Sequence, residues 1–200
     1  MNHKSAFRKL AGLAGIATTS LLISSPILAQ LYPGFSFWQR PAYIYQTDDE
    51  LPTIADYLDD NQSDQFNTLA ADLDKAGLTN MLRQEGSFTI FAPTDEAFNA
   101  LSYTQSQRMA DPQYRKRVLE YHLVAGLIKP EDIPGEMKTL EGKSVTVTIG
   151  KNNPYEFWVN EHAQISPPES GSNGQPTTSL MFGRNGIIVP IDKVLIPPEL

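Results

Sequence analysis

The chain contains no cysteine, which excludes disulfide bonds, cysteine-ligated zinc, thiol catalysis and attachment to a membrane through a lipidated cysteine of this sequence. Histidine is scarce, with three residues in 200, and the 16 basic residues are outnumbered by 23 acidic ones. The formal net charge of −7 argues against nucleic-acid binding, which depends on Lys and Arg contacts to the phosphates. The remaining composition, 40% hydrophobic and 20% charged, is typical of a globular protein.

Long apolar runs are absent except near the N-terminus. The first ten residues carry three basic side chains and no acid, the stretch Leu10–Ile23 is apolar or small, and small residues follow up to Ala29. This order predicts a secretory signal peptide over residues 1–29, cleaved after Ala29. A transmembrane anchor is the less favoured alternative, because the apolar stretch is shorter than the ~20 residues of a spanning helix.

Residues 30–52 are predicted to form a separate N-terminal arm, because prolines and a glycine interrupt any helical or strand periodicity. Six aromatic residues distinguish this arm, namely Tyr32, Phe35, Phe37, Trp38, Tyr43 and Tyr45. They either cover the surface of the following domain or form an adhesive or apolar-ligand surface, since aromatic residues are enriched where proteins bind. Both interpretations stay open, and the domain itself is assigned to residues 53–200.

Helical patterns dominate the first half of this domain. Thr53 and Asp56 have the spacing of a capping box, and Ser63 is placed to cap a second helix that Gly77 ends. The apolar stripe of that second helix consists of Phe66, Leu69, Ala70 and Leu73. Further helices are predicted over Leu78–Gln84, after the N-cap Thr94, and from Asp111-Pro112 to about Val124, with one strand, Phe88–Ala92, between the first two of these.

Strand patterns dominate the second half. Val145, Val147 and Ile149 alternate with threonines, which is typical of a half-buried strand. Two more strands, Glu156–Asn160 and Ala163–Ile165, are predicted on either side of a turn at Asn160-Glu161. A loose loop is expected over Ser166–Thr178, and a last strand region over Gly186–Ile196, broken by Pro190. Helices followed by strands favour an α+β domain in which the N-terminal helices pack against a sandwich or wedge of short strands.

No catalytic motif accompanies these elements. HExxH, GxSxG and the glycine-rich phosphate loops are absent. Two histidines remain beyond the predicted signal peptide, His122 and His162, and a metal site shared by them is not favoured. The acids between Asp56 and Asp64 lack the glycine and the closing glutamate of a calcium loop, and Arg115-Lys116-Arg117 is interpreted as a solvated helix face. We therefore expect neither an enzyme nor a bound cofactor or metal.

Two long segments and a short one between them form a spaced series of motifs. The first segment runs Thr89-Ile90-Phe91-Ala92-Pro93-Thr94-Asp95-Glu96-Ala97-Phe98, and the second runs Asn185-Gly186-Ile187-Ile188-Val189-Pro190-Ile191-Asp192-Lys193-Val194-Leu195-Ile196-Pro197. Between them stands Tyr121-His122-Leu123-Val124. The two long segments resemble the two signature segments of the fasciclin (FAS1) domain family, the short one is similar to its Tyr-His motif, and Val159-Asn160 also fits. The resemblance covers about Leu51 to Pro198 and implies a FAS1-like α+β fold.

The resemblance also implies binding rather than catalysis, because FAS1 domains are extracellular modules of adhesion and matrix proteins. Tyr121, His122, Leu123 and Val124 are thus candidate partner-binding residues, while Thr94, Asp95, Phe98, Asn185 and Gly186 are candidate structural residues of the motifs. The Asp-Ile motif linked to integrin binding in animal members is replaced here by Thr178-Ser179-Leu180-Met181, which argues against integrin-type recognition. Val189 and Pro190 also depart from the family pattern, and Pro190 suggests an edge strand or a bulge.

Two hypotheses follow for the function. The first is an exported, non-enzymatic FAS1 module, periplasmic or at the cell surface, that binds an unidentified cell-surface or matrix protein or glycan. The alternative is a soluble carrier of an apolar ligand such as a carotenoid, because some FAS1 members are carotenoid carriers and the aromatic arm would suit that role. We further hypothesise that Asp95 is the hydrogen-bond partner of a buried His122, since a buried imidazole needs one.

Overall fold

The structure is a computed structural model, and it describes residues 51–59, 65–84, 86–129, 132–153, 156–166, 169–170, 176–177 and 180–198. The predicted signal peptide and the aromatic arm up to Glu50 therefore lie outside the described residues, as does the predicted helix cap Ser63. Six helices are described: α1 (Ile54–Asp59), α2 (Asn67–Lys75), α3 (Thr79–Arg83), α4 (Asp95–Asn99), α5 (Tyr103–Met109) and α6 (Pro112–Tyr121).

The strands form two four-stranded sheets and one small hairpin. Their bounds are β1 (Phe88–Pro93), β2 (Leu123–Ala125), β3 (Gly135–Lys138), β4 (Ser144–Ile149), β5 (Phe157–Val159), β6 (Ala163–Gln164), β7 (Glu169–Ser170), β8 (Pro176–Thr177), β9 (Met181–Gly183) and β10 (Gly186–Ile191). The first sheet has the order β2-β1-β10-β9 with a parallel β1–β10 pair at its centre, and the second is the antiparallel sheet β3-β4-β5-β6. Strands β7 and β8 pair with each other.

Local sequence chemistry explains most helix ends. Asp111 accepts a hydrogen bond from the Tyr114 amide at 2.8 Å in front of the N1 proline of α6, and Ser102 forms a full capping box at the start of α5. Gly77 ends α2 as predicted, with φ of +72° and a Leu78 N–H···O=C Leu73 bond of 3.0 Å. This left-handed C-cap favours glycine because a side chain would be strained there.

The central sheet is buried on both faces, as expected for a parallel pair. Phe91 and Val189 point into a cluster shared with Val145 and Val159 of the second sheet. Their chain neighbours point to the other face, where helices α1 to α3 cover them; this second cluster includes Ile90, Ala92, Ile188, Leu69 and Leu82. The α+β prediction, with N-terminal helices packed against a sandwich of short strands, is therefore confirmed.

Several predicted boundaries are wrong for reasons that lie outside the local sequence. Helix α6 ends at Tyr121 rather than near Val124, because Leu123 and Val124 are paired with β1 as strand β2. The segment predicted as a loose loop contains the short strands β7 and β8. The last strand ends at Ile191, five residues earlier than expected.

The edge-strand interpretation of Pro190 is also wrong, because β10 lies between β1 and β9 inside the first sheet. The ladder between β10 and β9 ends at the pair Ile188–Met181, before the proline is reached. The Pro190 carbonyl instead accepts a hydrogen bond of 3.0 Å from the Ser166 amide. A proline is tolerated at this position because β9 does not extend far enough to pair with residue 190. The ladder between β10 and β9 therefore does not need the N–H that proline lacks.

Candidate functional site

His122 stands at the C-terminal end of α6 and is 1% exposed. Its Nε2 lies 2.9 Å from the Leu195 amide nitrogen, and its Nδ1 lies 2.7 Å from the Val118 carbonyl oxygen. Because an amide N–H can only donate, Nε2 must be the acceptor, and the ring proton on Nδ1 donates to Val118. Burial lowers the pKa of His122 to about 4, so the imidazole is neutral at physiological pH.

Asp95 is not the partner of His122, so that hypothesis is wrong. Its carboxylate accepts hydrogen bonds from the main-chain N–H of Thr68 at 2.7 Å and of Asn67 at 3.3 Å, and from the Asn67 side chain. Asp95 therefore caps the N-terminus of α2 from another helix, where Phe66 at the N-cap position offers no side-chain bond. Burial pushes the pKa of Asp95 up, but the bonds from Thr68 and Asn67 outweigh it and hold this pKa below its usual value.

Tyr121 faces the second sheet and is 2% exposed. Its hydroxyl donates to the Ser144 carbonyl at 3.0 Å and accepts from Nδ2 of Asn160 at 3.0 Å. The Asn160 side-chain oxygen in turn accepts from the Thr146 amide at 2.9 Å. Burial raises the pKa of Tyr121, as does the nearby charge of Glu141, so the phenol stays protonated. The structure thus joins the Tyr-His motif to the Val159-Asn160 segment.

All four residues of the Tyr-His motif are buried. Leu123 and Val124 belong to β2, which pairs with β1 in the first sheet. The motif is also the meeting point of both signature segments. The main-chain carbonyl of His122 accepts from the Phe91 amide at 2.9 Å, while its ring accepts from Leu195. A partner-binding role for Tyr121 to Val124 stays a prediction, and in the folded chain these side chains present very little surface.

The residues of the signature segments occupy structural positions. Asn185 accepts from the Ile54 amide at 2.8 Å and donates to the carbonyls of Leu82 and Gln84, so it holds α1 and α3 against the sheet. At Gly186 a Cβ atom would lie 2.2 Å from the Phe88 carbonyl oxygen, which leaves no room for any side chain.

The first signature segment also caps and packs its own helix. The Thr94 hydroxyl accepts from the Ala97 amide at 3.3 Å at the start of α4. Phe98 is half-buried and packs against two hydrophobic clusters. The six candidate arm residues, Tyr32, Phe35, Phe37, Trp38, Tyr43 and Tyr45, lie outside the described residues.

The described part of the chain contains no group of three or more His, Asp or Glu side chains that could hold a metal ion. His162 is exposed, and its ring bonds to the main chain of Asn160 rather than approaching His122. No helix within the described ranges combines the length and the apolar character that crossing a membrane requires.

One surface feature has no counterpart in the sequence analysis. A groove of about 670 Å³, open to solvent, lies at one end of the second sheet. Its lining includes Pro134, Ile149, Lys151, Glu156, Trp158 and Glu161, and we call it the end groove. The one available sequence clue is the position of Trp158, which alternates with the buried Phe157 and Val159 and so faces outward.

The comparisons with known proteins agree with this architecture. The Fasciclin domain family model matches residues 64–197. Protein sll1483 of Synechocystis sp. is 32% identical over 154 residues, which cover 75% of this chain and 76% of that protein. The cell surface glycolipoprotein MPB83 of Mycobacterium bovis is 33% identical over 114 residues, which cover 56% of this chain and 45% of MPB83.

A solved structure extends the agreement to the fold. The chain is similar to a FAS1 domain pair from the insect cell adhesion molecule fasciclin I, with a TM-score of 0.51 at 16% identity. The similar region covers 73% of this chain and 51% of the domain pair. The order of the motifs, their convergence on His122 and the match of the family model over residues 64–197 have one explanation: the chain belongs to the fasciclin (FAS1) domain family.

Proposed function

We propose that this chain is an exported, non-enzymatic FAS1 module that contributes to adhesion or protein interaction at a cell surface or in an extracellular matrix. The observation that carries the proposal is the family membership, because relatives of this chain include a cell surface glycolipoprotein and a cell adhesion molecule. Export is supported by the order of charge and hydrophobicity in residues 1–29. The partner is a protein or glycan of the surface or matrix.

The use of the motif's polar groups supports the same proposal. Both ring nitrogens of His122, the carboxylate of Asp95 and the amide of Asn185 all bond to main-chain groups of the domain. A catalytic acid, base or nucleophile must instead reach its substrate. These polar groups of the motifs therefore serve the fold, and binding is left to surface residues.

Capture on host cells tests the proposal. The chain without residues 1–29 is fluorescently labelled and applied to cells and extracellular material of its own host, with an unrelated acidic protein of similar size as the control. We expect saturable retention of the FAS1 chain and no retention of the control. Equal retention of the two proteins, or none of either, would contradict an adhesive role.

The carrier alternative is decided on the same preparation. The protein is purified from its own host, and its visible absorption spectrum and native mass are recorded. We expect a colourless protein whose mass is that of residues 30–200 alone. A visible chromophore or added mass would instead support an apolar-ligand carrier, with the aromatic arm as the cover of the ligand.

A further inference from the structure

We propose that the end groove binds an arginine side chain presented by a basic segment of a partner protein. This inference rests on the proposed adhesive function and names the chemistry of the partner. It is carried by the combination of an outward-facing indole, two carboxylates without ion-pair partners among the described residues, and the acidity of the chain as a whole.

Among the described residues, one aromatic side chain, that of Trp158, lines the groove. Trp158 lies on β5 opposite Thr148 of β4, on the face of the second sheet that points away from the core. Trp158 is half-buried. Pro134 adds apolar surface to the same groove. A half-exposed indole of this kind provides contact area at a low cost in conformational entropy.

Two carboxylates stand close to the indole in the chain. Glu156 immediately precedes β5, and Glu161 lies in the turn after that strand, so both are within three residues of Trp158 in the sequence. Glu156 is held in place by a bond of 3.2 Å from the Asn153 side chain and by a bond of 2.7 Å from the Gly150 amide to its carbonyl. Gly150 permits this close approach, since a Cβ there would lie 2.9 Å from the Cβ of Glu156.

The charge of the groove favours a cation. No described Lys or Arg forms a salt bridge with Glu156 or Glu161, and Lys151 is the single basic side chain among the described lining residues. The formal charge of −7 over the whole chain adds long-range attraction for a basic partner. An anionic ligand would be repelled, and an apolar ligand would remove water from two carboxylates without compensation.

Arginine fits this arrangement better than lysine. Its planar guanidinium stacks on an aromatic face and donates to carboxylates through several N–H groups at once. A cation over tryptophan is the strongest of the cation–π pairs. A sugar ring would also stack on the indole and donate hydroxyl hydrogen bonds to the carboxylates, but a neutral sugar gains nothing from the net negative charge, and its binding would be insensitive to salt. The groove therefore points to an arginine-bearing segment rather than a glycan.

Fluorescence anisotropy with a labelled peptide of alternating glycine and arginine tests the inference on the chain without residues 1–29. The same peptide with each arginine replaced by neutral citrulline is the probe control. We expect W158A to weaken arginine-peptide binding about tenfold, from the ~1–2 kcal/mol of a partly desolvated cation–π contact. E161Q should weaken it about fivefold at low salt, and the affinity of the unchanged chain should fall between roughly 0.05 and 0.5 M salt.

Glu136→Gln is the matched control variant, because Glu136 is exposed on β3 of the same sheet and does not line the groove. It removes the same charge as E161Q and should leave binding within twofold. Equal loss in the two variants would mean that only the general negative field acts, and the inference would fall. Equal binding of the citrulline peptide, or salt-independent binding of a neutral oligosaccharide that W158A abolishes, would also overturn it.

The outcomes separate this inference from the proposed function. If E161Q and W158A weaken peptide binding as expected but the unchanged chain is not retained on host cells, the groove stands and the adhesive function falls. If retention on cells is the same in the unchanged chain and in both variants, adhesion stands and the groove is not its site. Urea unfolding midpoints close to that of the unchanged chain establish that the variants are folded. If W158A does not fold, the result for E161Q alone decides the test.

Discussion

Replacing His122 with phenylalanine is expected to lower the free energy of unfolding by about 2–4 kcal/mol. Leu195 is 0% exposed, so its amide would lose an acceptor that water cannot replace, at a cost of ~1–3 kcal/mol. The Val118 carbonyl would lose the Nδ1–H donor, at a further ~1 kcal/mol. Phenylalanine fills a similar volume, so the cavity contribution is small and the change reports mainly on the two hydrogen bonds.

Urea unfolding at neutral pH measures this change. His162→Phe is the control, because His162 is exposed and its substitution should shift the free energy of unfolding by less than ~0.5 kcal/mol. A loss in H122F as small as that of the control would refute the argument that His122 joins the signature segments. An unchanged dependence on urea concentration between variants keeps the comparison valid.

The same pair of variants should differ in their response to acid. The pKa of His122 is lowered to about 4 in the folded chain from an ordinary value of 6.5, so between these values the unfolded chain binds more protons. The contribution of the neutral His122 to the free energy of unfolding is thus fully present above pH 6.5 and is lost as the pH falls towards 4. The full loss is about 3 kcal/mol. H122F should lack this loss. An equally steep loss in both chains would assign the acid sensitivity to other groups.

Three further changes test the structural assignments. Asp95→Ala should destabilise the chain by ~1–2 kcal/mol in urea unfolding, because α2 loses its cap from another helix; a neutral result would mean that water replaces the carboxylate. Gly186→Ala should prevent folding, as judged by circular dichroism, whereas Gly142→Ala, where φ is +101° but nothing lies within 4 Å, should cost only ~1 kcal/mol. Deleting residues 30–50, which keeps Leu51 on the core, should lower the thermal midpoint if the arm covers the domain, and should leave it unchanged while abolishing capture if the arm is a binding element.

Local chemistry was enough to predict the elements whose ends depend on neighbouring residues. The turn at Asn160-Glu161 is an example: both residues have positive φ, of 51° and 64°, as a tight hairpin turn requires. The glycine end of α2 and the Asp111-Pro112 start of α6 are others. In each case the residues that determine the geometry are within a few positions of one another.

Long-range contacts account for the errors. Nothing near Leu123 in the sequence indicates that its main chain pairs with Ile90, so the helical pattern of α6 extends too far. The cap of α2 comes from Asp95, 28 positions from Asn67 in the sequence, whereas a search among nearby residues finds Ser63 and Asp64. The end groove was missed although most of its lining falls between Thr148 and Glu161, because a single outward-facing Trp158 with nearby glutamates does not reveal a concave surface until the strands pair and Pro134 is brought beside them.

The burial of the Tyr-His motif changes what the family resemblance can say about function. His122 accepts from the first signature segment through its carbonyl and from the second through its ring, so in this geometry the motif contributes to the stability of the fold. Such residues identify the family without distinguishing one member's partner from another's. Specificity must then come from exposed positions that folding does not constrain, and Trp158 with the two nearby glutamates is one described surface that combines exposure, charge and an aromatic face.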